Sequence, residues 1–293
     1  MTGWEPYTVT TEEYLDPAPI AALQALLDTR DKPVGAGEPL PPLWHWVALP
    51  RWPESGSIGP DGHPVRGGLL PPVDLPRRMF AGGDVQFDGE LTIGTTVRRE
   101  ARVVAVTPKT GRSGRLVVVV VEIGLFADSA SPALVERQEL IYRDPGPATA
   151  QPPAPASVDP VAAPLRRVRD GVWELRTDPT LLMRFSAATA NAHRIHYDWP
   201  YATGVEGYPG LVVHGPLMTL ALAETIRLDR PGAGPARLRH RNLAPLFCPG
   251  SARIGRHTDS DADLAVALTG TADPGGDPRI HTVLHADFPA LGD

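Results

Sequence analysis

A proline- and alanine-rich segment near the middle of the chain limits its architecture more than any other feature. Residues 144–164, DPGPATAQPPAPASVDPVAAP, are almost all proline, alanine and small polar residues. Such segments are stiff and extended and bury little apolar surface, as connections between domains do. We therefore predict an N-terminal domain over residues 1–145, a linker over 146–164 and a C-terminal domain over 165–293, each of ordinary domain size.

Both predicted domains place helical segments before several strand-like runs. Apolar periodicity predicts helices over 19–29, 178–190 and 215–229, and a proline just inside the last one stands where its missing N–H costs nothing. Runs such as RLVVVVVEIGLFA and RIHTVLHADFP, separated by turn residues, predict antiparallel strands. This order, used twice, indicates an α+β fold with a sheet around a central helix.

Composition narrows the partners of the chain. The 293 residues carry a formal net charge of −6 without a basic stripe, which argues against nucleic-acid binding and favours a small molecule. Cys248 is the single cysteine, so no intrachain disulfide can form. The N-terminal residues lack the basic and apolar parts of a signal peptide, and the longest apolar run, 116–121, is too short to cross a membrane. We expect a cytoplasmic protein.

The segment FSAATANAHRIHYDWPYATGVEGYPGLVVHGPLM, residues 185–218, carries the chemistry. It resembles the signature of MaoC-like (R)-specific enoyl-CoA hydratases, in which Asp-x-Asn-Pro-x-His is followed by His-Gly at the start of the central helix of a hot-dog fold. His196 matches the family histidine, and His214 with Gly215 matches the helix-opening pair. The runs NLAPLFCPG and RRMFAGGDVQFDGELTIGTTVRRE resemble a further family strand, once in each half.

This resemblance implies a double hot-dog fold with a degenerate N-terminal repeat and a catalytic C-terminal domain. It also implies reversible addition of water to an enoyl-CoA, without a cofactor. The runs NAHRIHYD and RRM-aromatic-AGG are similar to those of the mesaconyl-C4-CoA (3-methylfumaryl-CoA) hydratase subgroup, whose reaction gives citramalyl-CoA.

The sequence departs from the broader family at the position of its catalytic aspartate, which is Asn191 here. The next two signature positions are His193 and Arg194. A mesaconyl-type substrate carries a free carboxylate on the carbon that receives water, and an aspartate beside it would be a like charge in a low-dielectric site. An amide can still orient the water, while His193 or Arg194 can neutralise the substrate carboxylate.

The reaction needs a base for water, a proton for the α-carbon and stabilisation of an enolate on the thioester oxygen. His196 is the predicted base, because its ordinary pKa lies near working pH. Gly215 is the predicted oxyanion residue, because its backbone can approach the thioester at a helix N-terminus. We expect Asp198, Tyr201 and His214 near the substrate, although His214 equally suits packing at the helix start and Asp198 a loop-fixing hydrogen bond.

Arginines are the candidate partners of the CoA phosphates. The chain has no GxGxxG or Walker-type phosphate loop, so scattered side chains would have to hold CoA. The candidates are Arg77, Arg78, Arg239 and Arg241. The clustered histidines lack an accompanying His-x-x-x-His helix or cysteine pair, so no metal site is predicted.

Four functions remain open from the residues and the resemblance. The first is hydration of a branched dicarboxylic enoyl-CoA, with mesaconyl-C4-CoA as the leading case. The others are dehydration of another 3-hydroxyacyl thioester, hydrolysis by a hot-dog thioesterase, and acyl-CoA binding without catalysis. All four predict an acyl-CoA partner, and pairing of two chains into a homodimer stays open.

Overall fold

The coordinates are a computed structural model that describes residues 3–29, 31–111, 114–144, 158–258, 262–271 and 275–289. Residues 146–157 of the predicted linker lie outside these ranges. Residues 158–164 form neither helix nor strand. The division into two domains therefore stays a prediction, and the halves are named below only by their order in the chain.

Within the described ranges, eleven strands form one antiparallel sheet, to which each half of the chain contributes a contiguous block. The N-terminal half provides β1 (Thr8–Tyr14), β2 (Arg77–Phe87), β3 (Thr96–Gly111), β4 (Gly114–Phe126) and β5 (Leu134–Arg143). The C-terminal half provides β6 (Leu165–Arg169), β7 (Val172–Thr177), β9 (Arg237–Asn242), β11 (Gly250–Arg256), β12 (Leu264–Thr271) and β13 (Pro278–Asp287), while β8 (Leu211–Val212) and β10 (Phe247–Cys248) pair separately.

The two blocks of strands meet along a single seam. The strand order is β1-β3-β4-β5-β2-β9-β13-β12-β11-β7-β6, so β2 from one half pairs with β9 from the other. The register runs from Gly82 opposite Arg241 to Gln86 opposite Arg237. Main-chain hydrogen bonds therefore make the sheet continuous across the two halves.

The long helix α4 (Gly215–Asp229) is the buried helix of the C-terminal half. Residues 217–226 are all buried, and the helix packs against β2, β9, β12 and β13. A helix that is covered on all sides belongs in a core and not at a surface. The predicted helix over 215–229 is confirmed at both ends.

The shorter helices begin where side chains cap them. The Asp16 carboxylate accepts the Ala18 N–H at the start of α1 (Pro17–Leu27), two residues before the predicted start. Asp178 accepts the N–H groups of Thr180 and Leu181 at the start of α3 (Pro179–Ala188), within the predicted 178–190.

In the described N-terminal half, no long helix like α4 covers the strands. Its described helices are α1, which packs against α3, and the four-residue α2 (His45–Ala48). We call the face that carries Val97, Ala101 and Val119 the inner face, and all three are buried. A cavity therefore has room beside this face. Across the described ranges, no helix has both the length and the apolar character needed to span a bilayer.

Candidate active site

A cavity of about 720 Å³ lies between the inner face and the segment that precedes α4. Its size is within the usual range for small-molecule sites. Both halves of the chain line it. Among the residues predicted from the sequence, those at its wall are Asn191, His193, His196, Gly215, Arg77 and Arg78.

His196 is held as a neutral imidazole with a defined tautomer. Its Nδ1 lies 2.6 Å from the carbonyl oxygen of Val212, so Nδ1 carries the proton and Nε2 keeps its lone pair. Burial, together with the nearby His193, lowers the pKa of His196 to about 3. At neutral pH the side chain is therefore an uncharged proton acceptor at the cavity wall.

His214 supports the His196 ring from behind. The two rings stack with centroids 3.6 Å apart, and Nε2 of His214 lies 2.8 Å from the Ser186 hydroxyl. His214 is fully buried and does not line the cavity. Burial and the neighbouring histidines keep its pKa well below the ordinary value. His214 therefore packs behind His196, and a direct contact between His214 and substrate stays a prediction.

Asn191 presents the nitrogen of its amide as a donor. Its Oδ1 accepts the backbone N–H of His193 at 3.1 Å, which orients the side chain at the cavity wall. The NH₂ group can then donate to a water oxygen or to an anionic oxygen of a ligand. An amide cannot take a proton from water at neutral pH, so the base at this site has to be a different residue.

Gly215 begins α4 against a tightly packed wall. A Cβ at this position would lie 2.7 Å from Nδ2 of Asn242 and 3.5 Å from Cδ1 of Phe80, so a larger residue would displace Asn242. Asn242 is itself fixed, because it donates to the Phe80 carbonyl and accepts from the Thr282 hydroxyl. The first N–H groups of the helix lack intrahelical acceptors and carry the positive end of its dipole.

A chain of side-chain contacts runs from His193 through Glu206 to Arg77 along the cavity. Nε2 of His193 lies 3.2 Å from Glu206, whose other oxygen accepts from Arg77 Nε at 3.0 Å. Burial by itself would raise the pKa of Glu206, but His193 and Arg77 lower it. The Arg77 guanidinium also lies over the Tyr208 ring. Arg77 therefore neutralises a buried carboxylate of the protein, and His193 is hydrogen-bonded to the same group.

A loop of the N-terminal half, within residues 53–76, covers this part of the cavity. The ring centroids of His63 and His193 are 4.0 Å apart, and Asp61 accepts from His63. Burial, with Arg78 and His193 nearby, lowers the pKa of His63 to about 3 despite Asp61. The ligand atoms of Asp61, His63 and His193 lie within 4.8 Å of one another, a spacing that could hold a divalent ion. Here Asp61 and Glu206 already satisfy the two histidines.

Arg194, Asp198 and Tyr201 form a separate cluster at the surface. Arg194 donates to Asp198 and to the Pro60 carbonyl, and its guanidinium lies over the Tyr201 ring. Burial, with the charges of Glu206 and Asp61, raises the pKa of Tyr201 to about 12. None of the three lines the cavity. Their contacts brace the loop that carries His196, so a direct role with substrate stays a prediction.

Arg239 and Arg241 lie outside the cavity. They alternate along β9 with the buried residues Leu238 and His240, which places both arginines on the opposite face of the sheet. Arg239 is also paired with Asp287. A contact between this pair and CoA phosphates would have to be made on that outer face, whereas Arg77 and Arg78 border the cavity itself.

Sequence reasoning missed four residues that shape the site. Glu206, Asp61 and Asn242 contact the predicted residues His193, Arg194 and Gly215, respectively, and Arg99 lines the cavity from β3. Glu206 had one detectable signal, since it is an acidic residue inside the motif segment. Asn242 and Arg99 fall inside the two runs that resemble a family strand, which is a weak signal. Their closeness to the motif, like that of Asp61, comes from strand pairing and loop packing, which the sequence pattern does not show.

Comparison with known proteins agrees with this architecture. The model of the hydroxyacyl-thioester dehydratase type 2 family matches residues 43–248. Mesaconyl-C(4)-CoA hydratase of Chloroflexus aurantiacus is 42% identical over 93% of this chain and 98% of its own length.

Solved structures show the same fold at lower identity. HtdX of Mycobacterium tuberculosis superposes with a TM-score of 0.62 at 19% identity, covering 97% of this chain and all of its own. A second Mycobacterium tuberculosis protein, described as having a double hotdog fold, superposes with a TM-score of 0.55 at 16% identity and covers 98% of this chain and 96% of its own. The predicted double hot-dog fold is confirmed, as is the resemblance to MaoC-like hydratases. The chain belongs to the hydroxyacyl-thioester dehydratase type 2 family and is a hydro-lyase of acyl thioesters.

Proposed function

We propose that this protein hydrates a branched dicarboxylic enoyl-CoA, with mesaconyl-C4-CoA to citramalyl-CoA as the leading case. One observation carries the chemical part of this proposal. A neutral histidine of fixed tautomer and the N-terminus of a buried helix line the same cavity. The substrate follows from the relative that shares 42% identity over nearly its whole length.

Each step of the reaction has a residue suited to it. His196 Nε2 accepts a proton as the water oxygen bonds to the β-carbon, and the π electrons move to the thioester oxygen as an enolate. The N-terminus of α4 at Gly215 stabilises that oxygen. The imidazolium then returns its proton to the α-carbon, and the thioester carbonyl re-forms. Asn191 donates a hydrogen bond that orients the water.

The pKa of His196 lies well below the near-neutral value expected from the sequence, which makes the ring a weaker base for water and its conjugate acid a better proton donor. A buried imidazole with a pKa of about 3 is unprotonated in the resting enzyme, so the base is available at neutral pH. Its conjugate acid is strong and gives the proton up readily once the enolate has formed. Replacing the family aspartate by Asn191 therefore removes one hydrogen-bond acceptor for the attacking water, while the base, His196, is still present.

A turnover panel tests the proposal. The purified chain is mixed with mesaconyl-C4-CoA, with crotonyl-CoA and with longer straight-chain enoyl-CoAs, while enoyl absorbance and free thiol are both followed. We expect loss of absorbance without thiol release, fastest for mesaconyl-C4-CoA. Faster turnover of the straight-chain substrates would show that mesaconyl-C4-CoA is not the preferred substrate. Thiol release would show a thioesterase, and binding without turnover would show an acyl-CoA-binding protein.

The cellular setting belongs to the same proposal. The single cysteine, which leaves no possible intrachain disulfide, supports action in a reducing compartment such as the cytoplasm. The partner is the acyl-CoA itself. Whether two chains pair is a question for light scattering on the purified protein.

A further inference from the structure

We propose that Arg99 is the binding subsite for the free carboxylate of the acyl group. This inference rests on the proposed function and names the residue that selects its substrate class. Arg99 lies in the N-terminal half, outside the motif that carries the chemistry.

The position of Arg99 in β3 is unusual for a charged residue. Side chains of a strand alternate between its faces, and the neighbours two positions away, Val97 and Ala101, are both buried on the inner face. Arg99 therefore points to the same side as these apolar residues and is only partly exposed. An arginine on a core-facing position costs stability unless a partner compensates it.

The surroundings of Arg99 lead to the catalytic residues. Arg99 lines the main cavity, and it also lines an adjoining cavity of about 270 Å³. The second cavity is bordered by Asn191 and by Pro216, the second residue of α4. The guanidinium therefore reaches the same space as the amide that replaces the family aspartate.

The protein does not neutralise this guanidinium directly. Among the described residues, Arg99 makes no side-chain hydrogen bond and no ion pair. The nearest acidic groups are Glu13, which is paired with Arg51, and Glu136, which accepts from His45 and Trp46. Burial, reinforced by the charge of Arg51, lowers the pKa of Arg99, although the two carboxylates act against it. An anionic ligand group would supply the missing partner.

Other cationic candidates are already used or lie elsewhere. Arg77 is paired with Glu206, and Arg194 with Asp198. Arg78 stands at the other end of the inner face. Across β2, β5 and β4, Arg78 is level with Val117, because both are opposite Tyr142. Arg99 on β3 is opposite Leu125, which lies eight residues farther along β4. That spacing is about 26 Å at the usual strand rise, so the two arginines serve different parts of a ligand.

The chemistry of the substrate fits this arrangement. In a mesaconyl-type thioester the free carboxylate is bonded to the β-carbon, next to the attacking water. A guanidinium binds a carboxylate through two parallel hydrogen bonds, and the Asn191 amide can add a third. Neutralising this charge removes the repulsion between the carboxylate and the electrons that move toward the thioester oxygen.

Substitution of Arg99 tests the subsite, and the measured quantity is the ratio of kcat/KM for two substrates. For Arg99→Gln, kcat/KM with mesaconyl-C4-CoA divided by kcat/KM with crotonyl-CoA should fall at least about tenfold, the scale of a lost charged hydrogen bond. Arg99→Lys keeps the positive charge but lacks the two parallel donors of a guanidinium. Its kcat/KM ratio should lie between those of wild type and Arg99→Gln. Arg98→Gln is the matched control, because Arg98 faces the other side of β3 against Glu100 and Phe126, and it should keep the wild-type ratio.

Binding of unreactive ligands separates the subsite from the proposed function. Calorimetry compares succinyl-CoA, which carries a β-carboxylate, with butyryl-CoA, which carries a methyl group instead. Wild type should prefer succinyl-CoA, and Arg99→Gln should lose that preference. If wild type fails to hydrate mesaconyl-C4-CoA but shows this Arg99-dependent preference, the proposed function is wrong and the subsite stands. An unchanged ratio and preference in Arg99→Gln, or their loss in Arg78→Gln instead, would overturn the subsite.

Discussion

The state of His196 depends on neighbouring groups that take no part in the proposed proton transfers. The Val212 carbonyl selects the proton-bearing nitrogen, and the stacked His214 fixes the ring plane. Ser186 in turn holds His214. With its ring fixed in this way, the proposed base does not have to reorganise during the reaction, which is how preorganised sites lower barriers.

Replacing His196 by Ala should lower kcat/KM at least about a hundredfold, because a positioned base contributes on that scale. His257→Ala is the control, since His257 lies outside the cavity wall, and it should keep wild-type activity. Steady-state hydration kinetics measure the effect, with circular dichroism confirming the fold. A His196→Ala enzyme within a few-fold of wild type would remove His196 from the mechanism.

Among individual residues, the sequence predicts those that belong to one contiguous motif. His196 and Gly215 are recognisable because a contiguous motif carries both of them. Arg99 is not, since its importance comes from the face of β3 on which it lies and from a cavity built by distant segments. An isolated arginine in RRE looks like any surface charge until strand register shows which way it points.

At the level of elements, a loop of the N-terminal half holds the catalytic segment in place. The backbone N–H of Arg194 donates to the Asp61 carbonyl, and its guanidinium donates to the Pro60 carbonyl. Gly62 has φ +89°, and a Cβ there would lie 1.8 Å from the Ala192 carbonyl oxygen. The turn that carries Asn191 is therefore packed directly against this loop.

Gly62→Ala should lower kcat/KM at least about tenfold, because the added methyl group has to push the 191–193 turn away. Gly67→Ala is the matched control: Gly67 has φ +100° with nothing near its Cβ direction, so it shares the backbone strain without the clash. Thermal unfolding should show that both variants are destabilised, Gly62→Ala more than Gly67→Ala because the clash adds to the strain. Equal activities in the two would contradict the proposed role of this contact.

For the whole molecule, the sequence predicts the elements better than their assembly. The bounds of α4 follow from its apolar run and its proline, and the antiparallel strands follow from their turns. The seam between β2 and β9 does not, because pairing between strands about 150 residues apart leaves no periodic signal in either strand. The cavity cannot be predicted from the sequence for the same reason, since its walls come from both sides of the seam.

Buried neutral histidines make the stability of the molecule sensitive to acid. The pKa values of His63 and His196 are lowered to about 3 and that of His240 to about 4, mainly by burial. In the unfolded chain these groups take up protons near pH 6.5, so the unfolded state binds more protons below that pH. The stability they contribute is complete above pH 6.5 and is lost as the pH falls toward their folded values.

The free energy of unfolding should therefore fall by up to about 1.4 kcal/mol per pH unit for each such histidine between pH 6.5 and 5. Urea titrations at several pH values measure this slope. His240→Gln should reduce the slope by about one proton, because His240 packs against Phe80 and Trp46 without taking part in the reaction. A stability that is constant from pH 7 to pH 5 would show that these histidines titrate normally.

The seam between β2 and β9 has a consequence for redesign. The wall with Arg99 is encoded before the proline-rich segment, and the wall with His196 and Gly215 is encoded after it. Recombining genes of related enzymes at residues 144–164 would exchange one wall while the reacting groups stay the same. The partners would need a compatible strand register across five residue pairs of β2 and β9. Choice of substrate can then diversify in such proteins without a new catalytic apparatus.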